Sequence, residues 1–276
     1  MGTKQEDVSQ ESQISGYRSR KQQSPQLGTK KHRTLLSRNN PRCHIPNHRD
    51  RASSHLTEKQ ALELIEAATH ARTIGRPLNR FVTIHLERGK NGRRAQEAIG
   101  HYLRMAGQWL ATRGSPSTFV WVLEHAQGTG LHAHMLLHIP PEHVKQFADL
   151  ARSEWLRHAG LQFAPGLIKS ERVGPRGFNP TEAKDYERQS YRRSLQGTLR
   201  YMLKAIDPEA KSTLARYLPH AADTTISTLL GIDTEYCQPI KGRRCSRSQN
   251  ISKAARERYA AERLGPIAGT ATWVRT

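Results

Sequence analysis

The stretch Phe119–Pro140, FVWVLEHAQGTGLHAHMLLHIP, decides the fold of this chain. Phe119 to Ala126 is largely apolar, with β-branched and aromatic residues, and reads as a strand. Gln127-Gly128-Thr129-Gly130 is turn chemistry. Leu131 to Ile139 then alternates. Leu131, Ala133, Met135, Leu137 and Ile139 take one face; His132, His134, Leu136 and His138 take the other. Two histidines at i and i+2 of a strand point the same way, with Cβ atoms roughly 6–7 Å apart, close enough to converge on one metal ion. A three- or five-residue loop centred on Gly128 sets Glu124 opposite His132 on that face. A two- or four-residue loop would turn it away. With the odd loop, one carboxylate and two imidazoles meet at one point. Mixed N/O ligands with open positions suit Mn²⁺ or Mg²⁺ in a phosphate-handling site, and by affinity also Zn²⁺ or Co²⁺. A chain with 14 histidines can carry an H-x-H pair for structural reasons alone. The apolar alternation and the carboxylate on the neighbouring strand are what favour a metal. His125 lies off the Glu124 face, and His138 shares the His132 face but lies nearer the strand end, so neither is taken as a ligand.

The formal charge of +20 over 276 residues points to a polyanionic partner, with nucleic acid first. A membrane role is disfavoured: no apolar run reaches about 18 residues and no signal peptide opens the chain. Cys43, Cys237 and Cys245 form no C-x-x-C pair and imply no disulfide framework, which suits the cytoplasm. Hydrophobic content of 36% supports a compact core with polar extensions. Residues 1–55, rich in Ser, Gln, Asn, Lys and Arg, read as a disordered basic arm.

Thr57-Glu58-Lys59-Gln60 fits a capping box ahead of a helix that ends before Gly75. FVTIHLE, residues 81–87, alternates as a strand, with Val82, Ile84 and Leu86 inward and Thr83, His85 and Glu87 on the other side. Residues 92–112 form an amphipathic helix. After the hairpin, Pro141 starts a helix running to about His158, and a short strand falls near Gly166–Val173. The order helix, strand, helix, strand, strand, helix, strand, helix predicts an α+β fold: an antiparallel sheet with helices packed on one face and the second face free to carry a site.

Residues 181–206 read as a further helix, with Leu195, Leu199, Met202 and Ile206 as its core stripe. Ser194, Gly197, Thr198, Tyr201, Lys204 and Ala205 form the opposite face, and Gly197 is read as clearing space beside the Tyr201 ring. A tyrosine beside a metal can attack a DNA phosphate, although a free phenol, with a pKa of about 10, is a weak nucleophile. A divalent cation would polarise the phosphate and a lysine would stabilise the developing charge. Tyr186, Tyr191 and Tyr217 are rival tyrosines by spacing alone.

Taken together, these motifs resemble the HUH endonucleases, and within them the single-tyrosine rolling-circle replication initiators. FVTIHL (81–86) is similar to the family's first strand motif. GLHAHMLLHIP (130–140) is similar to its metal-binding histidine motif, and LRYMLKAI (199–206) to its Tyr-x-x-Lys motif. The resemblance covers roughly residues 78–207. It implies a ferredoxin-like (RRM-like) nuclease core over 56–207, with His132, His134 and Glu124 holding Mg²⁺ or Mn²⁺. It implies Tyr201 as the nucleophile that becomes linked to a 5′ phosphate, and Lys204 acting near the tyrosine or the phosphate. The implied partners are single-stranded origin DNA and the host helicase and polymerase. No G-x-x-x-x-G-K-[ST] motif marks a fused helicase. A single-tyrosine transposase or a relaxase shares this chemistry, and a non-enzymatic nucleic-acid-binding protein could keep the fold. Residues 208–276 read as a basic C-terminal region, partly helical from Ile251 to Leu264, and suited to phosphate contacts.

Overall fold

A computed structural model describes residues 51–89, 94–213 and 224–264. A two-residue strand, β1 (Ala52–Ser53), precedes α1 (Glu58–Thr73), β2 (Arg80–His85) and α2 (Ala95–Ala111). The hairpin follows as β3 (Phe119–Ala126) and β4 (Gly130–Leu137). Next come α3 (Val144–Arg152), α4 (Glu154–His158), β5 (Ile168–Arg172) and α5 (Asp185–Met202). The chain closes with α6 (Ile226–Leu230), β6 (Ile240–Lys241), β7 (Cys245–Arg247) and α7 (Lys253–Leu264). The class is α+β, as the patterning predicts. The readings placed on residues 1–50, Cys43 among them, and on Tyr217 lie outside the described residues.

Five strands form one antiparallel sheet in the order β5-β2-β4-β3-β7, so the histidine strand β4 is central. β1 and β6 pair separately. The hairpin loop is the three residues between Ala126 and Gly130, which pair with each other, and Glu124 stands opposite His132. Gly128 and Gly130 adopt φ +81° and +71°, the left-handed region that side chains disfavour. That geometry is why an odd, glycine-bracketed loop closes here.

Helices cover both faces of the sheet, not one. On one side α2, α3 and α4 enclose Val82, Ile84, Trp121, Leu123, Ala133, Met135 and Leu137. On the other, α1 and α5 enclose Val120, Val122 and Leu136. The cause is visible in β3, which carries large apolar residues on both faces and must be covered twice. The site face is therefore free only where those apolar residues give way to Glu124, His132, His134, Thr83 and His85.

The capping box of α1 is present: Thr57 N–H donates to Gln60 Oε1 at 2.9 Å, and Gln60 N–H donates to Thr57 Oγ1 at 3.3 Å. The helix read from Pro141 to His158 is instead a 3-10 turn at Pro141–His143 followed by α3 and α4. Ser153 breaks it. Its hydroxyl donates to the Asp149 carbonyl at 2.8 Å and its backbone leaves the helical region (φ −121°, ψ −86°). The break seats Trp155 edge-on against Tyr102, Trp109 and Phe147. β7, from the basic C-terminal stretch, is the fifth strand of the sheet. α7 is tied back to α1 by Arg256, which donates to both oxygens of Glu63 and to Glu66.

Candidate metal centre

Three neighbouring strands and one helix end build the site. Glu124 comes from β3, His132 and His134 from β4, and Thr83 from β2, where it is paired with His134. Glu124, His132 and His134 are 0%, 3% and 1% exposed, and their ligand atoms lie within 4.8 Å of one another. His132 Nε2 is 3.4 Å from Glu124 Oε1, and His134 Nε2 is 3.2 Å from Oε2. Atoms bound about 2.1 Å from one ion at right angles lie roughly 3 Å apart, so only small shifts separate this arrangement from a shared ion.

The other ring nitrogens are already held. His132 Nδ1 faces the Gly130 carbonyl at 2.9 Å; a carbonyl only accepts, so Nδ1 carries the proton. That leaves Nε2 as the His132 atom aimed at the Glu124 carboxylate, across a gap that a proton or a cation can bridge. His134 Nδ1 is 3.0 Å from Thr83 Oγ1, a hydroxyl that can donate or accept. Phe81 stacks on the His134 ring at 5.4 Å and 21°, fixing its plane. Such outer contacts aim ligands at a metal. The three residues fit a divalent ion, with nitrogen and oxygen donors and no sulfur.

Burial pushes the Glu124 carboxyl up, but His132, His134 and Lys204 outweigh it and hold it well below the usual carboxylate range. Burial lowers the His134 imidazole, partly offset by Glu124. Both shifts favour the metal-ready forms, an ionised carboxylate and a neutral imidazole.

Tyr201 and Lys204 come from the end of α5. The Tyr201 ring lies 5.1 Å from His134 and 6.0 Å from Phe81, edge-on to both, and is 48% exposed. Lys204 Nζ is 2.9 Å from Glu124 Oε1, 3.0 Å from Glu235 Oε2 and 4.5 Å from the Tyr201 ring centre. Burial alone would lower the Lys204 ammonium, but the two carboxylates raise it well above its ordinary value. A helical wheel puts Lys204 and Ala205 on an open face with Tyr201, yet both are buried. The helix ends at Met202, and the chain beyond is pinned where Leu56 N–H donates to Ala205 O and Asp207 N–H donates to Leu56 O. Lys204 therefore drops onto Glu124. Gly197 clears nothing: a Cβ there would meet no atom within 4 Å.

The rival tyrosines separate cleanly. Tyr191 is fully buried, stacked on Phe178, and its hydroxyl donates to the Leu78 carbonyl at 3.2 Å. Tyr186, at 66% exposure, sits in the first turn of α5, about 23 Å along the helix from Tyr201. His125 faces Glu87 at 3.3 Å, and His138 Nδ1–H donates to the Pro77 carbonyl at 2.8 Å. Thr83, Phe81, His85 and Glu235 complete the surroundings. The alternation of β2 placed Thr83 and His85 on one face, but which strand they would adjoin was not readable. Glu235 left no signal at all.

The fold and site define a buried Glu-His-His cluster on a central antiparallel hairpin, with a tyrosine and a lysine delivered by a helix end. Comparison of the chain with protein-family models, with curated proteins and with solved structures finds no match. No helix among the described residues is long and apolar enough to cross a membrane.

Proposed function

We propose that this chain is a divalent-metal-dependent enzyme that nicks and rejoins single-stranded DNA at a replication origin through a covalent tyrosyl–phosphate intermediate, as its resemblance to the HUH replication initiators implies. The observation that carries the reading is the Tyr201 ring 5.1 Å from His134, half exposed, at the rim of a cluster able to hold a metal. When bound at Glu124, His132 and His134, Mg²⁺ or Mn²⁺ would supply Lewis-acid polarisation of the scissile phosphate.

The chain's own residues do the rest. Tyr201 Oη forms the new bond to phosphorus, the bond from phosphorus to the 3′ oxygen breaks, and that oxygen gains the proton the phenol gives up. The product is a 5′-phosphotyrosine and a free 3′ hydroxyl fit to prime synthesis. Lys204 places its positive charge over the Tyr201 ring and beside Glu124, where it offsets phosphate charge. Host helicase and polymerase would act on the opened strand.

The test is a denaturing gel with labelled single-stranded DNA carrying the replicon's origin, run with Mn²⁺ or with EDTA, for wild type and Tyr201→Phe. A protein–DNA adduct that needs Mn²⁺ and disappears in Tyr201→Phe is the expected result. An adduct that survives the substitution removes Tyr201 from its role. Intact DNA binding with no adduct or cleavage on an origin known to be nicked in the cell overturns the reading.

A further inference from the structure

A groove lies on the far side of the sheet from the Glu-His-His cluster. Its volume is about 1140 Å³. One wall is a stripe of α2 that includes Gln96, Gly100 and Arg104; the other is the turn joining β6 to β7, with Lys241 and Arg243. Phe119, Trp121 and Leu131 line it as well. The walls are bolted together by Gln96, whose amide donates to the Lys241 carbonyl at 2.6 Å and to the Arg243 carbonyl at 3.3 Å.

Three features set the occupant. Small-molecule sites run from about 300 to about 1,000 Å³, so this groove exceeds a compact ligand and suits an extended one. Arg94, Arg104, Lys241 and Arg243 line it against a single acid, Glu97; none of the four is ion-paired to a carboxylate among the described residues, although Arg104 also meets the His101 ring. Arg247 also lines it but is committed to Glu63. Cations beside a partly exposed aromatic, Phe119, with Trp121 buried beneath, match phosphates and a stacked base, the pattern of a single strand.

The groove also leads to the cluster. His125 and Leu131 are a cross-strand pair at its lining, and the next pair along the hairpin is Glu124 and His132, facing the opposite side. A strand leaving the groove over the hairpin turn arrives beside the metal ligands.

We propose that this groove binds single-stranded DNA flanking the nicked phosphate. The strand lies along α2 and the β6–β7 turn and crosses the hairpin turn to the cluster. The assignment of the flanking strand rests on the function proposed above; the groove's capacity for a single strand does not.

The test compares R104E/K241E/R243E with K145E/R152E/R157E, a matched change of charge on exposed residues of α3 and α4. Binding of a fluorescent oligothymidylate to the full chain is followed by anisotropy across a salt series. Each phosphate contact contributes about 0.7 to the log–log salt slope, so the groove variant should have a slope shallower by about 2 and bind about tenfold or more weakly. The control should keep the wild-type slope. Gly100→Leu probes the groove without touching charge. Its Cβ meets nothing within 4 Å and it removes a helix glycine, so it should weaken binding while leaving the melting temperature unchanged or raised. Equal losses in the groove and control variants overturn the proposal, as does unchanged binding in the groove variant. So does a loss confined to duplex DNA. Adduct formation by wild type separates the two proposals. Groove-dependent binding without any adduct sinks the nicking reaction and keeps the groove; an adduct with groove-independent binding does the reverse.

Discussion

Glu124→Gln tests whether the buried carboxylate is both an ion-pair partner and a metal ligand. The substitution keeps the shape of the side chain and removes its charge. Glu124 is fully buried, and Lys204 Nζ lies 2.9 Å from it with only 11% of the lysine side chain exposed. Removing one partner of a buried pair generally costs about 3–5 kcal/mol. Here Lys204 keeps a second carboxylate, Glu235, at 3.0 Å, and that partner is 53% exposed, so the cost falls to about 2–3 kcal/mol. For a chain of this size each kcal/mol moves the melting temperature by about 2–4 °C, so the metal-free variant should melt about 4–12 °C below wild type. Metal adds a second readout. At about 100 times its dissociation constant a ligand stabilises the folded state by about 2.7 kcal/mol, or about 5–11 °C here. Wild type should show that rise on titration with Mn²⁺, and Glu124→Gln should lose most of it. The assay is differential scanning fluorimetry in chelator-treated buffer, with and without Mn²⁺. A variant that melts within about 1 °C of wild type without metal, and gains as much from Mn²⁺, would refute both roles.

Tyr191→Phe should cost about 1–2 kcal/mol by urea unfolding, because it leaves the buried Leu78 carbonyl without its donor, while adduct formation stays at the wild-type level. Gly130→Ala should cost about 1–2 kcal/mol, since alanine is strained at φ +71°, and the same turn holds the carbonyl that orients His132; the readouts are the urea midpoint and the Mn²⁺-dependent rise in melting temperature. Arg256→Ala should loosen α7 from α1 at a cost of about 1–2 kcal/mol at neutral pH. The pH dependence follows from Glu63: burial pushes its carboxyl up, but the Arg256 hydrogen bonds and nearby charges outweigh it and hold the folded-state value below the ordinary one. A depressed carboxylate contributes stability above its unfolded pKa of about 4.3 and loses it as pH falls. Wild type and Arg256→Ala should therefore converge in stability as the pH drops below about 4, and a constant gap in acid would contradict the assignment.

The local grammar of the chain was legible because it depends on near neighbours. The capping box at Thr57, the alternation of β2 and β4, the odd loop at Gly128 and the stripe through Leu195, Leu199 and Met202 each follow from a period or a turn rule. From these alone came the α+β class and the convergence of Glu124, His132 and His134, since strand parity is a counting rule once the loop length is set. Tertiary structure decided the rest, wherever the cause lay far along the chain. Lys204 sits on Glu124, against the helical wheel, because Leu56 captures the backbone beyond Met202 across some 150 residues. β7 is three residues, Cys-Ser-Arg, whose strand character comes from the open edge of β3 and not from its own composition. Helices cover both faces because two separate helical layers found apolar partners on the same sheet, and which layer takes which face is a property of packing. Periodicity reports how a segment presents itself. Only the folded chain settles what it meets.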